Sequence, residues 1–121
     1  MAESKLRMEE RHVDDVTVLV LTGQILLDDG DLAFGKRIHD LIGRGRAKIV
    51  LDLGGVTYID SSGVGMLVAK LKTLKDHRGN IKLLHLTSRS ESLLGMLKLL
   101  IVFETFQDEG AAVRSFARAD T

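Results

Sequence analysis

Short apolar runs alternate with amphipathic segments along most of this sequence, and this alternation limits the folds that the chain can adopt. Residues 47–53, AKIVLDL, form the short apolar run that is typical of a strand buried on both faces. Residues 81–86 and 102–106 are also predicted to be strands, and segments with helical spacing lie between the strands. Strands and helices in this order predict right-handed crossovers and a largely parallel sheet.

The beginning of the chain differs from this alternation. Residues 5–12 and 16–23, KLRMEERH and VTVLVLTG, both have the character of strands, and residues 13–15 predict a tight turn between them. We therefore expect a single α/β domain over residues 1–121. It has an N-terminal hairpin, then alternating strands and helices, with a mixed, largely parallel sheet flanked by helices.

The first two predicted helices each have an apolar face and a polar or glycine signal at an end. The first follows Asp28, Asp29 and Asp31 and ends near Gly43 and Gly45. Its apolar positions are Phe34, Ile38, Leu41 and Ile42. The second is expected to stop at Gly79, and its apolar stripe comprises Val64, Leu67, Val68, Leu71 and Leu74.

Two further helices follow. We expect Ser88 or Ser90 to cap a leucine-rich third helix, because a serine hydroxyl can accept from an unpaired N–H group at a helix start. Residues 110–119 predict the fourth helix, and its inner face comprises Ala112, Val113 and Phe116.

The composition excludes several classes of protein. Seventeen basic residues balance seventeen acidic ones, so no net field attracts nucleic acid or an anionic membrane. Cysteine is absent and the four histidines lie in separate elements, so we expect no metal and no cofactor. No apolar run approaches the roughly 20 residues of a membrane span, and no signal peptide pattern is present. We expect a cytoplasmic protein that binds another protein or a small molecule.

The sequence also lacks the motifs of nucleotide enzymes and hydrolases. The pair Gly63 and Gly65 begins like a dinucleotide-binding fingerprint, but Val68 stands where its third glycine is needed. The two adjacent serines resemble a nucleophile elbow only in part, because Ile59 occupies a position that requires glycine. We therefore expect that the chain is not an enzyme.

Residues 56–68, VTYIDSSGVGMLV, combine an apolar strand, an acid, two serines and a glycine-containing helix start. One interpretation makes Asp60, Ser61 or Ser62 a helix cap. The other makes a serine hydroxyl at the positive end of the helix dipole a site for a phosphate. Glycines inside a helix cost roughly 1 kcal/mol each, so Gly63 and Gly65 indicate a bare surface that another backbone approaches. The chemistry alone leaves both interpretations open.

The DSSGVG sequence at residues 60–65, between an apolar strand and an apolar helix, resembles the signature of the STAS domain, the family of bacterial anti-sigma factor antagonists. VLVLTGQI resembles the second strand and glycine turn of that family, and residues 102–116 resemble its last strand and helix. The resemblance implies that Ser61 is phosphorylated by a partner that is both anti-sigma factor and serine kinase. It implies that the unphosphorylated form sequesters this partner and frees the sigma factor, and that ATP belongs to the kinase.

We expect this partner to dock on the exposed start of the second helix. The residues expected at the interface are Asp60, Ser62, Gly63, Gly65, Met66 and Ala69. The alternative is a structural STAS subunit of a lipid-transport or sensory complex, in which the serines only cap the helix.

Two stretches depart from the family pattern. GQILLDD places Leu26 where an acid is usual and shifts the acids to Asp28 and Asp29. MLKLLIVF, at residues 96–103, has apolar residues in place of a Thr-Gly turn and polar positions; these are Leu97, Leu100 and Ile101. They belong either to the core, which we favour, or to a contact with another chain. If they are exposed, we expect a homodimer.

Overall fold

The computed structural model describes residues 6–25 and 29–118, which contain five strands and four helices. The strands are β1 (Leu6–Val13), β2 (Val16–Ile25), β3 (Lys48–Ile59), β4 (Asn80–Leu84) and β5 (Glu104–Phe106). The helices are α1 (Asp29–Gly43), α2 (Ser61–Asp76), α3 (Ser88–Met96) and α4 (Glu109–Arg118). The expectations for Leu26, Asp28 and residue 119 fall outside the described residues.

The five strands form one sheet in the order β1-β2-β3-β4-β5. Strands β1 and β2 are antiparallel, and every later neighbouring pair is parallel. The predicted hairpin and the mixed, largely parallel sheet with flanking helices are therefore confirmed. None of the helices in the described ranges is both long and apolar enough to cross a membrane.

The sheet has a separate apolar cluster on each face. Helices α1, α2 and α3 cover one face, where Phe34 and Leu67 pack with Leu51 of β3. Helix α4 covers part of the other face, where Phe116 packs with Val50. Adjacent residues of β3 point to opposite faces and are both fully buried, which explains the unbroken apolar run in the sequence.

A buried lysine joins the last two strands to α4. The side chain of Lys82 on β4 is only 2% exposed, and its Nζ donates to Glu104 Oε1 on β5 at 2.8 Å. The same nitrogen lies 5.3 Å from the centroid of the Phe116 ring. The ion pair and the aromatic face together compensate a charge that burial would otherwise make costly.

Three predicted details of the chain were wrong. Helix α3 is capped by Thr87, whose Oγ1 accepts from Ser90 N at 3.1 Å, because the helix begins one residue earlier than a Ser88 cap requires. The predicted last strand is shorter, because the N–H groups of Val102 and Phe103 both donate to Leu99 O in a turn. Gly23 has φ 110° inside β2 and lies at a shift of register against β3, and β2 continues past it to Ile25.

The apolar residues that follow α3 are not part of the core. Leu97, Leu100 and Ile101 are all exposed, whereas the neighbouring Leu94 and Phe103 are buried. The favoured core interpretation is therefore wrong. The core positions of this segment are taken by Leu94 and Phe103 instead.

Gly79 follows α2 for a different reason from the one predicted. The left-handed residue after the helix is Arg78, with φ 63°, and Gly79 N donates to Leu74 O at 2.7 Å. A Cβ on Gly79 would lie 1.9 Å from the carbonyl oxygen of Ala47. Glycine is therefore required by the close approach of two backbone segments, not by its freedom to adopt positive φ.

The carboxylate of Glu10 ties the hairpin to α1. It accepts from His12 Nε2 at 2.6 Å, from Arg44 Nη2 at 3.1 Å and from Arg37 Nη1 at 3.3 Å. The hydrogen bond from His12, reinforced by the two guanidinium groups, holds the pKa of Glu10 below its ordinary value of 4.5. The ionised carboxylate therefore stabilises the folded chain.

We expect Glu10→Gln to lower the free energy of unfolding by about 1 kcal/mol at pH 7. Because the pKa of Glu10 is lower in the folded chain than in the unfolded chain, its contribution is present above about pH 4.5 and is lost as pH falls through the folded-state value. Urea unfolding of both proteins between pH 7 and pH 3 measures the difference. Glu9→Gln is the control, since Glu9 is exposed. A difference that persists undiminished at pH 3 would contradict this assignment.

We expect Gly79→Ala to destabilise the protein by about 3 kcal/mol, since the added methyl overlaps a backbone carbonyl that cannot move without shifting β3. The matched control is Gly43→Ala, because nothing lies within 4 Å of a Cβ built there. That control should change stability by less than about 1 kcal/mol. Thermal unfolding of the two variants measures the difference in stability. Equal melting temperatures would contradict the prediction and show that the backbone around residue 79 relaxes to accommodate the methyl group.

Candidate functional site

The candidate site lies where β3 passes into α2, and Asp60 organises the backbone there. Asp60 is the N-cap, with φ −95° and ψ 176°, and its Oδ1 accepts from Gly63 N at 2.8 Å. Its carbonyl oxygen accepts from Val64 N at 3.0 Å, while its own N–H donates to Ile25 O at 3.3 Å. One residue therefore starts the helix and joins it to the end of β2.

The two serines are the first residues of α2, and neither is the cap. Ser61 and Ser62 are both exposed, and their hydroxyls make no hydrogen bond within the part of the chain that the structure describes. The first turn of α2 contains no acidic residue. A negative group added to either hydroxyl would lie at the positive end of the helix dipole, where it is tolerated by the folded chain.

The two glycines of this turn have different environments. A Cβ on Gly65 would meet nothing within 4 Å, which agrees with the predicted bare surface. A Cβ on Gly63 would lie 2.8 Å from both Cγ2 and the carbonyl oxygen of Ile25. Gly63 is buried, so the expectation of a bare surface is wrong for this residue. Its glycine lets the helix start pack directly on the end of β2.

The outer side of α2 is small and uncharged near its start. Gly65 and Ala69 are exposed and lie one turn apart, in line with Ser61 at the helix start. Met66 is half-buried and packs against the core, so only part of its side chain faces outward. Val68, predicted as part of the inner stripe, is also half-buried, and Gly63 takes the buried position nearest the turn.

Sequence reasoning missed Tyr58, which lies two residues before the cap and is 42% exposed. The sequence pattern includes it in the apolar strand that precedes the acid. Its neighbour Thr57 is also exposed and donates from Oγ1 to Gly23 O at 3.2 Å. The sequence does contain a signal for the exposure of Tyr58, because a tyrosine hydroxyl in an otherwise apolar run usually reaches water or a polar partner.

Within residues 6–25 and 29–118, no three His, Asp or Glu side chains come together as metal ligands would. His85 pairs with Asp52, and His12 pairs with Glu10, in separate parts of the sheet. The site therefore consists of two exposed hydroxyls, the capping carboxylate and the open face of a helix.

The chain is similar to known proteins over most of its length. Residues 7–112 match the STAS domain family. The crystal structure of an anti-sigma factor antagonist from Mycobacterium paratuberculosis superposes with a TM-score of 0.81 at 18% identity, covering 93% of this chain and 94% of that one. An anti-sigma-factor antagonist (STAS) domain protein from Planctomyces limnophilus gives 0.76 at 18% identity, with 91% and 97% covered. The phosphorylated form of the Bacillus cell fate determinant SpoIIAA gives 0.70 at 20% identity, with 90% and 99% covered.

Asp60→Ala should lower the free energy of unfolding by about 1 kcal/mol, because Gly63 N loses the acceptor that satisfies it. Ser61→Ala and Ser62→Ala should each change it by less than about 0.5 kcal/mol, because neither hydroxyl takes part in the cap. Denaturant unfolding of the three variants measures the differences. A loss of stability in either serine variant equal to that in Asp60→Ala would mean that the cap is shared.

Proposed function

Since the chain belongs to the STAS domain family, we propose that it is an anti-sigma factor antagonist. Its unphosphorylated form binds an anti-sigma factor that is also a serine kinase. Phosphorylation of Ser61 by that partner releases the complex, so the availability of a sigma factor follows the phosphorylation state of this chain. The similar structures support the proposal, since two are anti-sigma factor antagonists and SpoIIAA occurs in a phosphorylated form.

The observation that carries the proposal is that the Ser61 hydroxyl is exposed and has no structural task. Asp60 performs the capping that a serine could otherwise perform. A kinase can therefore reach and modify Ser61 without removing a contact that the fold needs. This also weighs against the alternative of a structural subunit, because that interpretation explains the serines by capping.

The chemistry of the surrounding surface explains how a phosphate would release the partner. The proposed contact surface comprises the uncharged residues Ser62, Gly65 and Ala69 and the outward part of Met66, beside Asp60. A phosphate adds about −1.5 to −2 charges to it. In the complex this charge must be desolvated, and the first turn of α2 offers no cation to compensate it. In the free chain the phosphate is hydrated and lies at the positive end of the helix dipole, which stabilises it. Affinity falls and the fold is kept.

The proposed contacts divide into two kinds. Ser62, Gly65 and Ala69 offer open surface to the partner, and Gly65 lets the backbone of the partner come closest. Gly63 acts indirectly, because its lack of a side chain sets α2 against Ile25 and so positions the serines.

In this proposal the chain is a binding module and not an enzyme. ATP is bound and its phosphoryl group transferred by the partner, and no nucleic acid or membrane is contacted directly. Because sigma factors act on transcription, we propose that the protein works in the cytoplasm.

Incubation with the cognate kinase and ATP should label wild-type protein and Ser62→Ala, but not Ser61→Ala. Ser61→Ala should keep partner affinity within about threefold, because a methyl leaves the surface neutral. Ser61→Asp should weaken binding by about tenfold, and phosphorylated Ser61 by more, because the phosphate carries the larger charge. Mass spectrometry locates the phosphate, and calorimetry gives the affinities.

The matched control is Ser92→Asp, which places the same charge on another exposed helical serine. It should leave both labelling and affinity unchanged. A phosphate found on Ser62 would move the acceptor by one residue. Absence of labelling by the cognate kinase, together with unaltered binding by Ser61→Asp, would contradict the proposal and favour the structural subunit.

A further inference from the structure

The exposed apolar residues of this chain are concentrated in one short stretch, residues 96–102, which we call the apolar segment. Its exposed members are Met96 at 77%, Leu97 at 42%, Leu100 at 38%, Ile101 at 91% and Val102 at 41%. Among the described residues, the one other large apolar side chain that is exposed is Tyr58. Scattered exposed apolar residues need no explanation, but five such residues within a stretch of seven indicate a contact surface.

Hydrogen bonds hold the apolar segment in a defined turn. Lys98 has φ 59° and donates from its N–H to Gly95 O at 3.0 Å, and Leu99 N donates to Leu94 O at 2.8 Å. Leu99 packs against the core and Phe103 lies within it, so the turn is anchored at two points. The exposed side chains are therefore presented by an ordered support, which lowers the entropy cost of forming an interface.

The size of the apolar segment suits a small interface. At the exposed fractions above, each copy presents on the order of 500 Å² of apolar surface. Face-to-face contact of two copies would remove at most about 1,000 Å² from water, which is below the range of standard specific complexes and typical of weak, transient ones. Interfaces of this size are typical of weak complexes, so we expect a dimer that dissociates on dilution.

The charges beside the apolar segment suit a second copy of the same chain. Leu100, Ile101 and Val102 line a groove together with Lys75 from the end of α2 and Glu104 from β5. One exposed cation and one exposed anion thus border the same groove. Oε1 of Glu104 pairs with the buried Lys82 of its own chain, and 55% of the Glu104 side chain stays exposed at the groove. In a two-fold arrangement Lys75 of each copy can join this ion pair on the other copy, so a single surface is complementary to itself.

We propose that the apolar segment is the interface of a two-fold symmetric homodimer. The interface lies at the opposite end of α2 from the phosphoacceptor. Ser61 and Lys75 are separated by about 20 Å along the helix axis, at a rise of roughly 1.5 Å per residue. The dimer therefore leaves both Ser61 surfaces open, and its formation does not depend on whether Ser61 is phosphorylated.

Sedimentation equilibrium of the full chain between about 1 and 300 μM should show a reversible monomer–dimer equilibrium. Ile101→Asp should raise the dissociation constant at least tenfold and keep the circular dichroism spectrum and melting temperature, because Ile101 is 91% exposed. Lys75→Glu should raise it several-fold by placing two acids opposite each other. The control His39→Asp adds the same charge as Ile101→Asp at an exposed position of α1 and should have no effect.

The absence of cysteine allows a direct second test. Ile101→Cys should form a covalent dimer under mild oxidation, since residues near a two-fold axis approach their own copies, whereas His39→Cys should stay monomeric. A wild-type protein that is monomeric throughout the concentration range would overturn the proposal and leave the segment to a different partner. A dimer that survives Ile101→Asp, or that His39→Asp disrupts equally, would place the interface elsewhere.

Discussion

The pairing of β2 with β3 is the interaction on which the rest of this structure depends. The two strands run in parallel from Val16 and Lys48 to Ile25 and Ile59, with register shifts at two points. Because residues 49–51 of β3 are buried on both faces, this pairing sets the position of both apolar clusters. It also brings Ile25 beside the start of α2, where its carbonyl oxygen accepts from Asp60 N. The candidate site is therefore positioned by the sheet and not by a free loop.

In the β3–α2 turn, the residues that support the fold are distinct from those that the proposed function uses. Asp60 provides the cap and Gly63 provides close packing, and both face the protein. Ser61 and Gly65 face solvent and support neither the cap nor the core. This division explains why a modification at Ser61 can change the outer surface while the helix start stays formed. A switch of affinity without a change of fold requires this arrangement.

Helix α2 also separates the two proposed interfaces. Its first turn carries the hydroxyls, and its last turn borders the groove beside the apolar segment. The buried stripe between them packs on the sheet and holds both ends in fixed positions. Charge added at one end is too distant, at about 20 Å in water and salt, to affect contacts at the other. A homodimer would thus present two independent switch surfaces.

Much of the fold was determined locally by the sequence. Side chains repeat with a fixed period along a strand or a helix, and this period depends only on the local backbone. For this reason the sequence alone predicts the strands β1, β2 and β3 and the apolar stripe of α2 without knowledge of the segments that pack on them. The start of α2 could be predicted for the same reason, since an acid and two serines after a strand indicate a helix start. The assignment of roles to those residues was not available, because all three can cap.

Only the tertiary structure decided those roles. Asp60 caps because its backbone is held by Ile25, a residue far away in the sequence. Gly63 is buried and Gly65 is open because β2 ends beside one and not the other. Leu97, Leu100 and Ile101 are exposed, and it is Leu94 and Phe103 of the same stretch that join the core. In each case the sequence specifies the chemistry of a side chain, but burial depends on which distant segment lies against it.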